Sequence, residues 1–186
     1  MGCFKTMNWF RFALDFNNGY AIVSNEGKEY ALIDTDGNVL GGKWFRQVWN
    51  MLEKGFALVQ GTDKKWGFLG KDGKILGDMW FDYAEQFEDD FTLIALSEKC
   101  GYLGTDGKIL GNRLFRNGFP FMDDFAVVQR DDLLWGYLGK DGTILNDMWH
   151  TQCHPFHNGF ARFQSNSGTW YLIDENGVIF NQYGNI

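Results

Sequence analysis

Proline is nearly missing from this sequence, with two in 186 residues, and cysteine and histidine are scarce at three each. A proline-rich linker or a collagen-like chain is therefore excluded, and long stretches are left free to pair as strands. Cys3, Cys100 and Cys153 are odd in number and include no Cys-x-x-Cys pair, so no disulfide framework is expected and the thiols are expected to be reduced. No run approaches eighteen apolar residues, and Met1-Gly2-Cys3-Phe4-Lys5 lacks the charged head, apolar stretch and small-residue cleavage site of a secretory signal. The expectation is a soluble, cytoplasmic protein with no membrane partner. Cations are outnumbered, 17 Lys plus Arg against 24 Asp plus Glu, for a net charge of −7. Such a chain repels a phosphate backbone and has no basic run to offset the repulsion, so no nucleic acid partner is expected.

Signatures of catalysis are missing as well. There is no GxGxxG, no GxxxxGK[ST], no His-Glu-x-x-His, and no Ser or Cys with a paired His and a third orienting group. The carboxylate runs Glu88-Asp89-Asp90, Asp123-Asp124 and Asp131-Asp132 stand beside turn glycines and read as solvated loop charge. The chain is expected not to be an enzyme, with no catalytic residue and no cofactor.

What is abundant is aromatic carbon, 18 Phe, 8 Trp and 7 Tyr, which favours strands and an all-β fold. These rings recur. Asp-Gly or Asn-Gly falls at Asp36-Gly37, Asp72-Gly73, Asp106-Gly107, Asp141-Gly142 and Asn176-Gly177, a period of about 35 residues. Ahead of each lies a short apolar segment: Tyr30 to Ile33, Trp66 to Leu69, Cys100 to Leu103, Trp135 to Leu138, and Trp170 to Ile173. Each repeat opens at Trp9-Phe10, Trp44-Phe45, Trp80-Phe81, Leu114-Phe115 or Trp149-His150, giving units of approximately 9–43, 44–79, 80–113, 114–148 and 149–186 in a single repeat domain. The second unit reads as four short strands, Trp44 to Val48, Phe56 to Gln60, Trp66 to Gly70 and Ile75-Leu76, the last two joined by a tight Asp72-Gly73 hairpin. A sheet this small cannot hide both faces alone, so the units must stack. The repeats carry no polar end caps, so the expected architecture is a closed five-bladed, propeller-like ring, with an open twisted solenoid as the alternative.

Three groups of residues are candidates for function. Arg11, Arg46 and Arg116 share the column two residues after the opening aromatic, where Asp82 and Thr151 stand in the other repeats. Converging guanidinium groups would make a fork for phosphate or carboxylate, and solvated strand residues are the plain alternative. Trp9, Trp44, Trp80 and Trp149 could offer platforms for sugars or anchors for a protein partner if exposed, or could pack between sheets. His150, Cys153, His154 and His157 have crowded metal-ligand spacing. However, His150 aligns with Phe45 and Phe81, Cys153 with Ala13 and Ala84, and His154 and His157 with Glu85 and Glu88, so inward and outward positions alternate and no metal is expected. The expected function is a non-catalytic binding module, a scaffold for a protein partner using the acidic loops. A binder of a small anionic ligand through the arginines and a carbohydrate binder through the tryptophans are the alternatives.

Lys65-Trp66-Gly67-Phe68-Leu69-Gly70-Lys71-Asp72-Gly73-Lys74 and Trp135-Gly136-Tyr137-Leu138-Gly139-Lys140-Asp141-Gly142-Thr143 resemble the WG-repeat (KWG) family, and the likeness runs from about Trp9 to about Ile179. Cys100 stands where the family has Trp, Tyr30-Ala31 where it has Trp-Gly, and Tyr171 where it has Gly. The resemblance implies a bacterial or phage-associated β-repeat protein without known catalytic residues.

Overall fold

A computed structural model describes residues 10–49, 54–87, 89–181 and 184–185. The chain is all-β, with five small antiparallel sheets at the period of the repeat. It forms two compact units, one ending at Phe87 and the other beginning at Glu88, a division that falls inside the third repeat. Among the described residues no helix is long and apolar enough to cross a membrane.

In the first unit, the second repeat shows the construction. Gln47–Trp49 pairs with Phe56–Gln60, which pairs with Trp66–Gly70. The turn after Trp66–Gly70 is a three-residue hairpin. The Gly73 N–H donates to the Gly70 carbonyl at 2.9 Å and the Gly70 N–H to the Lys74 carbonyl at 2.8 Å, with Gly73 at φ +74°. That left-handed conformation suits glycine, and the same closure recurs at Gly37, Gly107, Gly142 and Gly177. The turn carboxylate changes seat between repeats. Asp72, Asp106 and Asp141 accept from the backbone N–H two residues on, and a Cβ on Gly70, Gly104 or Gly139 would lie 2.8 Å from that carboxylate oxygen. In the outer repeats Asp34 and Asp174 stand at the glycine's place and their own Oδ1 atoms close the turn.

The expected first and fourth strands are both corrected. Trp44 and Phe45 do not belong to a strand of their own repeat: Phe45 exchanges backbone hydrogen bonds of 2.7 Å with Tyr30 of the repeat before. Phe81 with Trp66, Phe115 with Cys100 and His150 with Trp135 repeat this latch. Ile75-Leu76 makes one bridge, Ile75 to Leu69, and then enters a 3₁₀ turn over Leu76–Asp78. Gly77 at φ 61° and Asp78 at φ 52° bend the chain out of line and return it to Trp66 at Phe81, so the outer edge is a broken strand in the first four sheets, whereas in the fifth Ile179–Asn181 pairs with Trp170–Asp174 as a regular strand.

Burial follows this arrangement. Ala57, Val59 and Leu69 pack on one side of their sheet against Ile22 and Leu32, while Phe68 on the other side meets Phe81 and Phe87. In the second unit Ala126, Val128 and Leu138 pack with Tyr102 and Phe115, and Val127 and Tyr137 with Phe156, Phe163 and Ile173. The middle strands of the second and fourth repeats are thus apolar on both faces, which explains their unbroken hydrophobic runs, whereas Phe160–Gln164 in the fifth alternates, with Phe160 and Arg162 exposed. The Trp-Gly pairing has the same origin. A Cβ on Gly67 would sit 3.1 Å from the ring of Trp80, one on Gly136 3.1 Å from Trp149, and one on Gly101 2.7 Å from Leu114. Glycine clears the place onto which the next opening side chain packs.

Candidate functional site

The opening tryptophans are packing residues in the described chain. Trp44, Trp80 and Trp149 are each half-buried against a core cluster, and Trp44 lies 6.4 Å from Phe10. Trp9 lies outside the described residues.

Arg11, Arg46 and Arg116 are all exposed, and each backbone N–H pairs with the neighbouring strand, to the carbonyls of Ser24, Gln60 and Gln129. Arg11 and Arg46 belong to the first unit and Arg116 to the second. Arg46 borders a cavity of about 410 Å³ with Tyr30, Gln47, Val48 and Trp49. Arg116 borders a different cavity of about 500 Å³ together with Trp149, Arg113 and Arg130. There the Arg130 guanidinium lies 4.3 Å from the Trp149 ring centre, and its Nη2 and Nε donate to the two carboxylate oxygens of Asp132 at 2.6 and 3.2 Å. That fork holds the Asp132 carboxyl below the usual carboxylate range.

The four metal-ligand candidates separate. His150 is 3% exposed and stacks on Phe163 with ring centres 3.8 Å apart, in the place of Phe45 and Phe81. Burial lowers its pKa to about 4, which holds the imidazole neutral. Cys153 is half-buried beneath the Tyr137 hydroxyl, and burial raises its thiol to about 12. Tyr137, fully enclosed, donates to the carbonyls of His154 and Arg162 at 3.1 and 3.0 Å, and burial raises its own pKa well above the phenol range. His154 lies beside Trp170, and His157 is exposed on a turn. Among the described residues no three His, Cys, Asp or Glu side chains come together to hold a metal. Cys100 is half-buried, with its thiol raised to about 11 by desolvation.

The acidic loops are partly committed to structure. Asp124 pairs with Lys140 at 3.0 Å, Asp123 Oδ2 accepts from the Gly159 N–H at 3.5 Å, and Asp131 pairs with Lys99 at 2.8 Å. Glu88 lies outside the described residues.

Sequence reasoning passed over a column five residues after each opening aromatic, Leu14, Trp49, Glu85, Phe119 and His154. Trp49 is 52% exposed and meets Trp66 edge-on at 6.4 Å, with its indole N–H donated to Gln47 Oε1 at 2.9 Å. In the second unit Phe119, 51% exposed, stacks on Trp135 at 5.8 Å, and His154 lies 5.5 Å from the exposed Trp170. The period exposes this column to inspection, but its mixed chemistry hides it: Leu, Trp, Glu, Phe and His share no residue type.

No family model and no curated protein matches the chain. Among solved structures it is similar to the WD40 β-propeller domain of Doa1, at 13% identity and a TM-score of 0.36 over 92% of this chain and 67% of that one. It is also similar to BamB from Moraxella catarrhalis, at 13% and 0.38 over 91% and 59%, and to Hsv2 from Kluyvelomyces marxianus, at 12% and 0.41 over 88% and 60%. The chain thus spans about three fifths of the last two.

Proposed function

We propose that this is a non-catalytic binding module of the WG-repeat kind that docks a protein partner through its exposed aromatic pairs. The observation that carries the reading is the recurrence of Trp49 on Trp66 and of Phe119 on Trp135 at one position of the repeat, with the outer ring about half exposed each time. Leaving large rings in water forgoes roughly 1 kcal/mol or more of burial free energy apiece, and Trp and Tyr are the side chains that most often anchor protein interfaces. A further apolar group, Phe12, Leu14 and Phe16, lies exposed in the first unit. The acidic loops are not the anchor in this reading, because Asp123, Asp124 and Asp131 already have partners within the fold.

The test is in-cell photo-crosslinking from positions beside Trp49 and Phe119, compared between the wild type and a Trp49→Ala/Phe119→Ala variant. We expect a discrete crosslinked protein that the double substitution removes while the melting temperature shifts by only a few degrees. A crosslink pattern indifferent to both substitutions in a folded protein would refute docking through these aromatic pairs.

A further inference from the structure

The second unit contains a local reversal of charge. The cavity of about 500 Å³ is lined by Arg113, Leu114, Arg116, Arg130, Asp131, Asp132 and Trp149, with Phe115 beneath. Both of its carboxylates are neutralised within the protein, Asp132 by the Arg130 fork and Asp131 by Lys99. Arg113 and Arg116 have no ion-pair partner among the described residues, so three arginines and two already paired carboxylates line this cavity in a chain of net charge −7. The main chain is fixed at both arginines. The Arg113 N–H closes the 3₁₀ turn onto Leu110 at 3.4 Å, and the Arg116 N–H is paired to Gln129 at 2.9 Å. Arg130 is held at its place by Asp132 and by the Trp149 ring, so only the Arg113 and Arg116 side chains have to order on binding. Leu114 and Trp149 supply the apolar part of the wall.

We propose that this cavity binds a small phosphate monoester carrying a planar ring, of the mononucleotide kind. Two unpaired guanidinium groups match the charge and the oxygen array of a phosphate dianion, which accepts paired N–H donors. Arg130 lies over the Trp149 ring, so the cavity offers the guanidinium plane, the exposed part of Trp149 and Leu114; a bare ion would leave these unused, whereas a ring attached to the phosphate packs on them. The volume suits a molecule of that size, since small-molecule sites of about 300–1,000 Å³ are usual. The site is independent of the exposed aromatic pairs, so either reading can fail alone.

The experiment is calorimetric titration of the full chain with adenosine 5′-monophosphate, adenosine and inorganic phosphate, at low ionic strength, with thermal melting in parallel. The mononucleotide is expected to bind saturably and to raise the melting temperature as its concentration passes the dissociation constant. Arg113→Ala and Arg116→Ala should each weaken it at least about tenfold, the scale of one lost charge-assisted hydrogen bond. Arg11→Ala, in the equivalent column of the first unit, should leave the affinity unchanged and controls for general charge. Circular dichroism checks that each variant is folded. The proposal is overturned if the mononucleotide does not bind, if inorganic phosphate binds as tightly, if Arg11→Ala weakens binding as much as Arg116→Ala, or if a phosphotyrosine peptide is preferred to the mononucleotide.

Discussion

At the scale of single residues, a polar side chain in an apolar column is the most telling feature, and His150 is the clearest case. It takes the place of Phe45, Phe81 and Phe115, buried to 3% and stacked on Phe163. Its folded pKa of about 4 lies below the 6.5 of a free imidazole, so the unfolded chain binds the extra proton between these values. Stability from this group is therefore complete above pH 6.5 and is lost as the pH falls toward 4. At pH 5 the loss amounts to about 2 kcal/mol. His150→Phe should remove that part of the acid sensitivity. Urea unfolding of both proteins at pH 7.5 and pH 5 measures it, and an equal acid loss in both would contradict the burial account. The alignment of His150 with phenylalanines made its burial legible from sequence, because a repeat supplies its own controls. The Arg130–Asp132 fork was not legible, since nothing in one linear sequence says that a hairpin arginine lies across the tryptophan of the next repeat.

The elements are held together by glycine contacts that differ between otherwise equal turns. Gly37 and Gly73 occupy the same turn position at φ +80° and +74°, and a Cβ on either is strained by about 1–2 kcal/mol from the backbone alone. A Cβ on Gly37 meets nothing within 4 Å, whereas one on Gly73 would lie 2.6 Å from the Cα of Gly41 in the 3₁₀ turn of the preceding repeat. Gly73→Ala should therefore cost about 1–3 kcal/mol more than Gly37→Ala, the scale of an overpacked core. Equilibrium denaturation of the two variants decides it, and equal costs would mean that the two turns do not bear on each other. The Asp-Gly turns were readable because a positive φ needs a particular residue type at a fixed place. The broken outer strand was not, because Ile75-Leu76 and Trp80-Phe81 each look like strand, while the intervening Gly77-Asp78 acts only by bending one back into line with the other on the edge of Trp66–Gly70.

For the molecule as a whole, the period of about 35 residues was the property most fully written in the sequence, and the division after Phe87 the least, for no change of composition marks it. In a chain of repeats, each repeat contributes little stability by itself and packing between neighbours contributes more, so the contacts between successive sheets decide where the structure opens. Those contacts are the cores shared by adjacent sheets and the backbone latches of Phe45, Phe81, Phe115 and His150 to the strands before them. Each latch residue is at most 5% exposed, and its hydrogen bonds are 2.7–2.9 Å long. Their amides should therefore exchange with solvent as slowly as those of the middle strands Phe56–Gln60 and Phe125–Gln129, although they lie outside regular strands. The Phe12–Ala13 edge, exposed at both residues, should exchange orders of magnitude faster, because little apolar burial opposes its opening. Hydrogen exchange followed by mass spectrometry, or by resonance at single amides, distinguishes the two. Should the latch amides exchange at the rate of the exposed Phe12–Ala13 edge, the repeats are coupled through side-chain packing alone and the broken outer strand is not what holds consecutive sheets together.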